Sequence, residues 1–307
     1  MTLNPRIIHR TFFTNFSPFE DSFTNYLETW LQQLPTYQIH LWNETNIDIQ
    51  ATDWLKKATQ ENAPVFLSEA VRWKVLADFG GLYLDADCEI VNGIKLHTLL
   101  EEMYQSTEYD AFCGVEDFYT GIPTAQTVAA KRGSELVAFM DELYTNHMRS
   151  FWPWRETHDM LGPHLMSLYF YEKGWRGDTG YFKHITEPII VGRVKIYPQD
   201  YFSPKFGIDG DALKITHNTC VYHLFANLNV NFTSENKLQI REESLTMREY
   251  QSRLNLESKK LNASNSNVTL HSSSGELLLK PLIYFIFRHP IKSIKRAIDR
   301  LKEKSEI

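Results

Sequence analysis

Two carboxylates one residue apart, Asp85 and Asp87, are the side chains of this sequence best spaced to do chemistry. They close the run Phe79-Gly80-Gly81-Leu82-Tyr83-Leu84-Asp85-Ala86-Asp87. In an extended strand alternate side chains share a face, so Tyr83, Asp85 and Asp87 are expected to point together while Leu82 and Leu84 enter a core. Paired hard oxygen donors suit a divalent cation that also holds a diphosphate. A bare Asp-x-Asp is common, since about a quarter of average composition is charged and roughly one match per chain of this size arises by chance. The chain carries its own control in Asp209-Gly210-Asp211, preceded by Phe206-Gly207-Ile208, where a glycine between the acids and no apolar alternation read as a surface turn.

The first diacid has a different approach. Leu67, Val71, Val75, Leu76 and Phe79 recur at spacings of three and four, which predicts an amphipathic helix with one apolar stripe. Ser68 and Arg72 lie one turn apart beside that stripe, with Glu69 in reach of Arg72. Gly80 ends the helix where a left-handed residue is wanted, and Gly81 frees the backbone to turn into the strand. Taken alone, Glu69 and Arg72 also fit a solvated helix pair worth a few tenths of a kcal/mol. Their place just ahead of a two-carboxylate strand favours a functional reading.

The run Leu67-Ser68-Glu69-Ala70-Val71-Arg72 followed by Phe79 to Asp87 resembles the signature of the DXD-containing, sugar-binding glycosyltransferases of family 32, which include capsule and lipopolysaccharide transferases and are related to clostridial glucosylating toxins. Pro5-Arg6-Ile7-Ile8-His9-Arg10-Thr11-Phe12 is similar to that family's opening strand, and Pro35-Thr36-Tyr37-Gln38-Ile39-His40-Leu41-Trp42-Asn43 to its second. The resemblance implies a GT-A type fold, a nucleotide-sugar donor, and Mn²⁺ or Mg²⁺ as cofactor. It also implies roles: Asp87 as metal ligand, Asp85 as donor contact, Tyr83 against the nucleotide, Arg72 on the donor, and Phe12 against the base. Ser68 and Glu69 join that donor set, although the family commonly has Asp where this chain has Glu69.

Near the end of the catalytic part the family carries a His followed by Ser-Trp; the matching run here is Tyr222-His223-Leu224-Phe225-Ala226-Asn227-Leu228, with Asn for Ser and no Trp. His223, with Asn227 second, is the candidate to close the metal site. A lone His on an apolar strand is also a common hydrogen-bonded core residue. Leu161-Gly162-Pro163-His164 resembles a family loop near donor and acceptor, which makes Asp159, Gly162 and Pro163 candidates, while Gly-Pro by itself is a turn signal. Phe151-Trp152-Pro153-Trp154 offers Trp152 and Trp154 for stacking on a sugar, or forms a core corner. No carboxylate pair reads as the acid and nucleophile of a glycosidase. The family is retaining, so retention is implied with no nucleophile assigned.

These residues need an α/β frame. Strand patterns at 6–12, 37–42, 82–87 and 109–115 alternate with helical patterns near 19–33, 51–59 and 66–79, which predicts a Rossmann-like domain with a mixed, mainly parallel sheet. Ligands of such sheets bind beyond the carboxyl ends of strands, where Asp85 and Asp87 fall. Further helices are expected near 133–149 and 159–173, and strands near 189–197 and 213–223. With 307 residues and 43% hydrophobic content the chain can bury a sizeable core, and its net charge of -6 offers no field for nucleic acid. Cys88, Cys113 and Cys220 have no zinc-ligand spacing, and a reducing compartment fits three cysteines best.

The expected organisation is a catalytic domain over 1–253, a polar linker over 254–277, and a basic amphipathic helical appendage over 278–307. In the last segment Leu278, Leu282, Ile283, Phe285 and Phe287 precede Lys292, Lys295, Arg296, Arg300 and Lys302 at helical spacing, a pattern that suits an anionic membrane surface or a helix docked on the domain. No signal peptide is expected, so the location read from sequence is cytoplasmic, peripheral on the inner face of the membrane. The resulting expectation is a hexosyltransferase using UDP-galactose or another UDP-hexose, with GDP-mannose second, acting on a glycan or lipid-linked glycan in surface polysaccharide synthesis. The rival classes are a metal-dependent nucleotidyltransferase or phosphohydrolase and a non-catalytic carbohydrate-binding protein.

Overall fold

The computed structural model describes residues 5–13, 15, 24–118, 120–147, 162–175, 182–204 and 215–224. Its elements in order are β1 (Ile7–Thr11), α1 (Thr24–Gln33), β2 (Gln38–Trp42), α2 (Asp53–Gln60), α3 (Pro64–Phe79), β3 (Gly81–Leu84), β4 (Cys88–Ile90), α4 (Gly93–Gln105), β5 (Ala111–Gly114), β6 (Thr127–Ala130) and α5 (Glu135–Glu142). A π turn, Leu143–His147, continues α5, and α6 (Gly162–Glu172), β7 (Ile189–Val191), β8 (Val194–Tyr197), a 3-10 turn Gln199–Tyr201 and β9 (Val221–His223) complete the order. None of the described helices is long and apolar enough to cross a membrane.

Among the described residues, seven strands form one sheet in the order β2-β1-β3-β6-β5-β8-β7. β1 runs parallel to β2 and β3, β5 runs parallel to β8, and β6 is antiparallel to both β3 and β5, so five strands share a direction while β6 and β7 reverse. This is the α/β, Rossmann-like, mixed and mainly parallel sheet expected for a GT-A type domain. Register lines up Ile8, Leu82, Ala129 and Phe112 on one face, where they meet Trp30 of α1 and Leu96, Leu100 and Met103 of α4. His9, Tyr83 and Val128 line up on the opposite face, on the side of α3. Both faces are therefore covered, which is why all four residues of β3 are buried rather than alternate ones. Truncating Leu82 to Ala here is expected to cost about 2–5 kcal/mol.

Several boundaries differ from the sequence expectation. The strand expected over 82–87 stops at Leu84, because Cys88 N–H bonds back to Asp85 O at 3.1 Å and makes a tight turn of the diacid. The single strand expected over 189–197 is the β7–β8 hairpin, and that over 213–223 contracts to β9. α3 is enclosed nearly all round instead of along one stripe, and Phe79, assigned to that stripe, is 42% exposed and stacks on Trp42. The linker and the appendage over 278–307 lie outside the described residues.

Candidate functional site

The diacid turn is aimed by the helix and glycines ahead of it. Pro64 starts α3 at a position that needs no N–H partner, and Gly80 ends it with φ 66°, its N–H bonded to Leu76 O at 2.8 Å. A Cβ on Gly80 would lie 2.7 Å from the Arg132 backbone nitrogen, and one on Gly81, φ 105°, would lie 2.8 Å from Ile7 O. Only glycine fits either place without displacing backbone. His9 pins the same corner: Nε2 donates to Gly80 O at 2.8 Å and Nδ1 accepts from Trp42 Nε1 at 3.0 Å. Burial holds the His9 pKa down at about 4, so the ring is neutral there.

Asp85 follows β3 at its carboxyl end. Its Oδ1 accepts from Arg72 Nη2 at 3.0 Å and from the Tyr83 hydroxyl at 2.8 Å, while Tyr83 meets Thr11 Oγ1 at 2.7 Å. The Arg72 guanidinium carbon also lies 4.8 Å from the Tyr83 ring centroid. Burial opposes the Arg72 charge, but Asp85 and Glu69 outweigh it and hold the pKa raised. Tyr83 is fully buried, so the expected contact between its ring and a nucleotide gives way to a different task, fixing the Asp85 carboxylate.

Glu69 and Arg72 are both buried, 3.4 Å apart, which removes the solvated-pair reading. Glu69 Oε2 accepts from the Tyr144 hydroxyl at 3.0 Å and the Gly162 N–H at 2.7 Å. A buried carboxylate with these donors positions Arg72 and the start of α6. Gly162 and Pro163 thus come to the back of the site, and Ser68 is half-buried on α3. Phe12, half-buried just past β1, has the Arg10 guanidinium 5.5 Å from its ring.

Asp87 meets His223 Nε2 at 3.3 Å, and Leu224 N–H bonds to Asp87 O at 3.0 Å. The two residues are joined by the β4–β9 ladder, in which Cys88 faces His223. Trp30 Nε1 bonded to Cys88 O holds β4, and Asp200, accepting from Thr216 and Asn218, holds the loop entering β9. Burial works against the charged His223 ring, but Asp87 beside it prevails and its pKa is raised. Asp87 and His223 offer one carboxylate oxygen and one imidazole nitrogen 3.3 Å apart, a spacing that two ligands of one divalent ion can have when each stands about 2.1 Å from it at roughly right angles. Asp85 is committed to Arg72 and Tyr83 and does not share that arrangement directly.

Glu116, just past β5, escaped the sequence reading. Its carboxyl feels Asp85, Asp117, His223 and Arg72, and burial above all lifts its pKa to about 7. An acid following the apolar run of a strand was the available signal. Tyr144, which holds Glu69, had none. Trp152, Trp154, Asp159 and Asn227 lie outside the described residues, as do Asp209 and Asp211.

Residues 20–106 match the family model described as the glycosyltransferase sugar-binding region containing DXD motif. No curated protein matches the chain. Among solved structures, a glycosyltransferase involved in glycosylation of the major capsid of PBCV-1 is 12% identical, with 77% of this chain and 98% of that chain covered and a TM-score of 0.41, a likeness too remote to carry an argument. The stretch from α1 to α4, with Arg72, Asp85 and Asp87 inside it, is thus similar to the DXD sugar-binding region of glycosyltransferases over somewhat more than a quarter of the chain.

Proposed function

We propose that the chain is a metal-dependent, retaining glycosyltransferase that moves a hexose from a nucleotide diphosphate sugar, UDP-hexose first, to a glycan or lipid-linked glycan acceptor. The observation that carries the reading is the approach of His223 Nε2 to Asp87 at 3.3 Å beside an Asp85 fixed by Arg72. Asp87 and His223 would hold Mn²⁺ or Mg²⁺, which when bound neutralises the diphosphate leaving group. Asp85, pinned by Arg72 and Tyr83, presents its remaining oxygen to donor hydroxyls. Glu69 keeps Arg72 in place, and Phe12 past the end of β1 is offered to the base. A place at the inner face of the membrane extends the reading, supported by the sequence pattern of 278–307 alone, and surface polysaccharide synthesis extends it further, supported by the resemblance to capsule transferases alone.

The test is nucleotide release from a panel of nucleotide sugars with Mn²⁺, with and without glycan acceptors, in wild type and Asp87→Asn. Release stimulated by acceptor, lost on chelation and reduced at least a hundredfold in Asp87→Asn is expected. Nucleotide turnover indifferent to any acceptor would point to a nucleotidyltransferase or phosphohydrolase, and glycan binding without turnover to a carbohydrate-binding protein.

A further inference from the structure

Beside Asp87 and His223 sits a thiol that the proposed reaction does not use. Cys88 is fully buried in β4 and directly opposite His223 in the β4–β9 ladder. Directly opposed residues of an antiparallel pair project to the same face with Cβ atoms about 4.5–5.5 Å apart. The Cys88 Sγ makes two weak contacts of 3.8 Å, to the backbone oxygen and Oε1 of Gln126. One ligand atom each from Asp87, Cys88 and His223 lies within 4.8 Å of the other two. Spacing along the chain hid this set, because Asp87 in the diacid turn and Cys88 at the start of β4 meet His223 of β9 only through the fold.

The three donors differ in softness. Mg²⁺ and Mn²⁺ prefer oxygen and leave a buried thiol alone, whereas Zn²⁺, Co²⁺ and Cd²⁺ accept sulfur and nitrogen together. We propose that Asp87, Cys88 and His223 form a thiophilic binding mode of this centre, taking Zn²⁺, Co²⁺ or Cd²⁺ through oxygen, sulfur and nitrogen with one position left open. The inference shares Asp87 and His223 with the proposed function and rests on that reading for them. Binding converts Cys88–SH and M²⁺ into a Cys88–S–M⁺ unit with release of the thiol proton, and a proton carried by His223 leaves with it so that the ring nitrogen can ligate. Ligand atoms on a tetrahedral ion with bonds of about 2.0–2.3 Å stand roughly 3.3–3.8 Å apart, so closing the set asks the side chains to draw together by about 1 Å. A thiophilic ion then competes with Mn²⁺ for the two shared ligands.

The experiment titrates the full-length protein with Co²⁺ and follows absorption. Sulfur-to-cobalt charge transfer in the near ultraviolet is expected in wild type, in Cys113→Ser and in Cys220→Ser, and is expected to vanish in Cys88→Ser. Zn²⁺ affinity should weaken at least tenfold in Cys88→Ser, with Mn²⁺ affinity changed less than twofold. A band that persists in Cys88→Ser, or no band in wild type, overturns the proposal. Should Cys88→Ser not fold, zinc-edge X-ray absorption on the wild-type protein decides: one sulfur scatterer at about 2.3 Å supports the site, and oxygen and nitrogen alone overturn it. None of these readings requires sugar transfer, so failure of the transfer assay and failure of this site are told apart.

Discussion

Glu69 Oε2 accepts the backbone N–H of Gly162 at 2.7 Å across 93 positions of sequence. The same oxygen takes the Tyr144 hydroxyl, and the other faces Arg72 at 3.4 Å. The acid that the sequence offers as a sugar contact is thus enclosed by the protein, and its charge is used to orient Arg72 and to hold the first residue of α6. Through Arg72, the start of α6 is coupled to Asp85.

That coupling makes Gly162→Ala informative. A Cβ at Gly162 would lie 2.7 Å from Glu69 Oε2 and 3.1 Å from Ala125 Cβ, so either the carboxylate or the helix start must move. Overpacking of this kind costs about 1–3 kcal/mol. Thermal unfolding should show a Tm lowered by several degrees, and nucleotide release should fall because Arg72 loses its alignment. A variant with unchanged Tm and turnover would remove Gly162 from the site.

Arg72→Lys separates charge from geometry. Arg72 Nη2 reaches Asp85 at 3.0 Å and Glu69 at 3.4 Å while its guanidinium covers the Tyr83 ring. A lysine keeps the charge and loses the planar fork. Loss of one charge-assisted hydrogen bond, about 1.5–3 kcal/mol, predicts a fall of roughly ten- to hundredfold in kcat/KM for nucleotide release. Steady-state kinetics that match wild type would show that Arg72 does not position the donor.

The helix α3, the double glycine and the strand before Asp85 are readable from local signals, apolar residues three and four apart, positive φ at glycine and a short apolar run, whereas their burial on all sides is not. What lay beyond those signals came from distant partners. Alternation continues on paper through Asp87, but the strand stops at Leu84 and Asp85 to Cys88 turns back, an outcome set by the hydrogen bond into Asp85 O. Burial of Glu69 depends on Tyr144 and Gly162, and the meeting of His223 with Asp87 on a ladder of three-residue strands, too short to show a period. The spacing of Cys88 from the other cysteines carries no signal, because its neighbours in space are an acid and a histidine.

His9 should make the protein acid-sensitive. Burial holds its folded pKa at about 4, below the ordinary 6.5, so the unfolded chain takes up a proton that the native state refuses. Its contribution is complete above pH 6.5 and is lost as pH falls through 4, by up to about 3 kcal/mol. Urea midpoints measured from pH 7.5 to 4 should decline in wild type. In His9→Gln the decline should be shallower, on a lower stability at every pH, since Gly80 O or Trp42 Nε1 loses its partner.

Glu116 has the opposite sign. Burial, aided by Asp117 and Asp85 and opposed by His223 and Arg72, raises its carboxyl pKa to about 7. The native state therefore binds this proton more tightly than the unfolded chain. Stability from the group is complete below about pH 4.5 and is lost as pH rises through 7, by up to about 3 kcal/mol. In metal-free protein, Glu116→Gln keeps a neutral side chain of the same shape, so its unfolding midpoint should exceed that of wild type at pH 8 and converge with it near pH 5. Parallel pH profiles for the two proteins would mean that Glu116 ionises as an ordinary surface acid and does not face Asp85 and His223 from the end of β5.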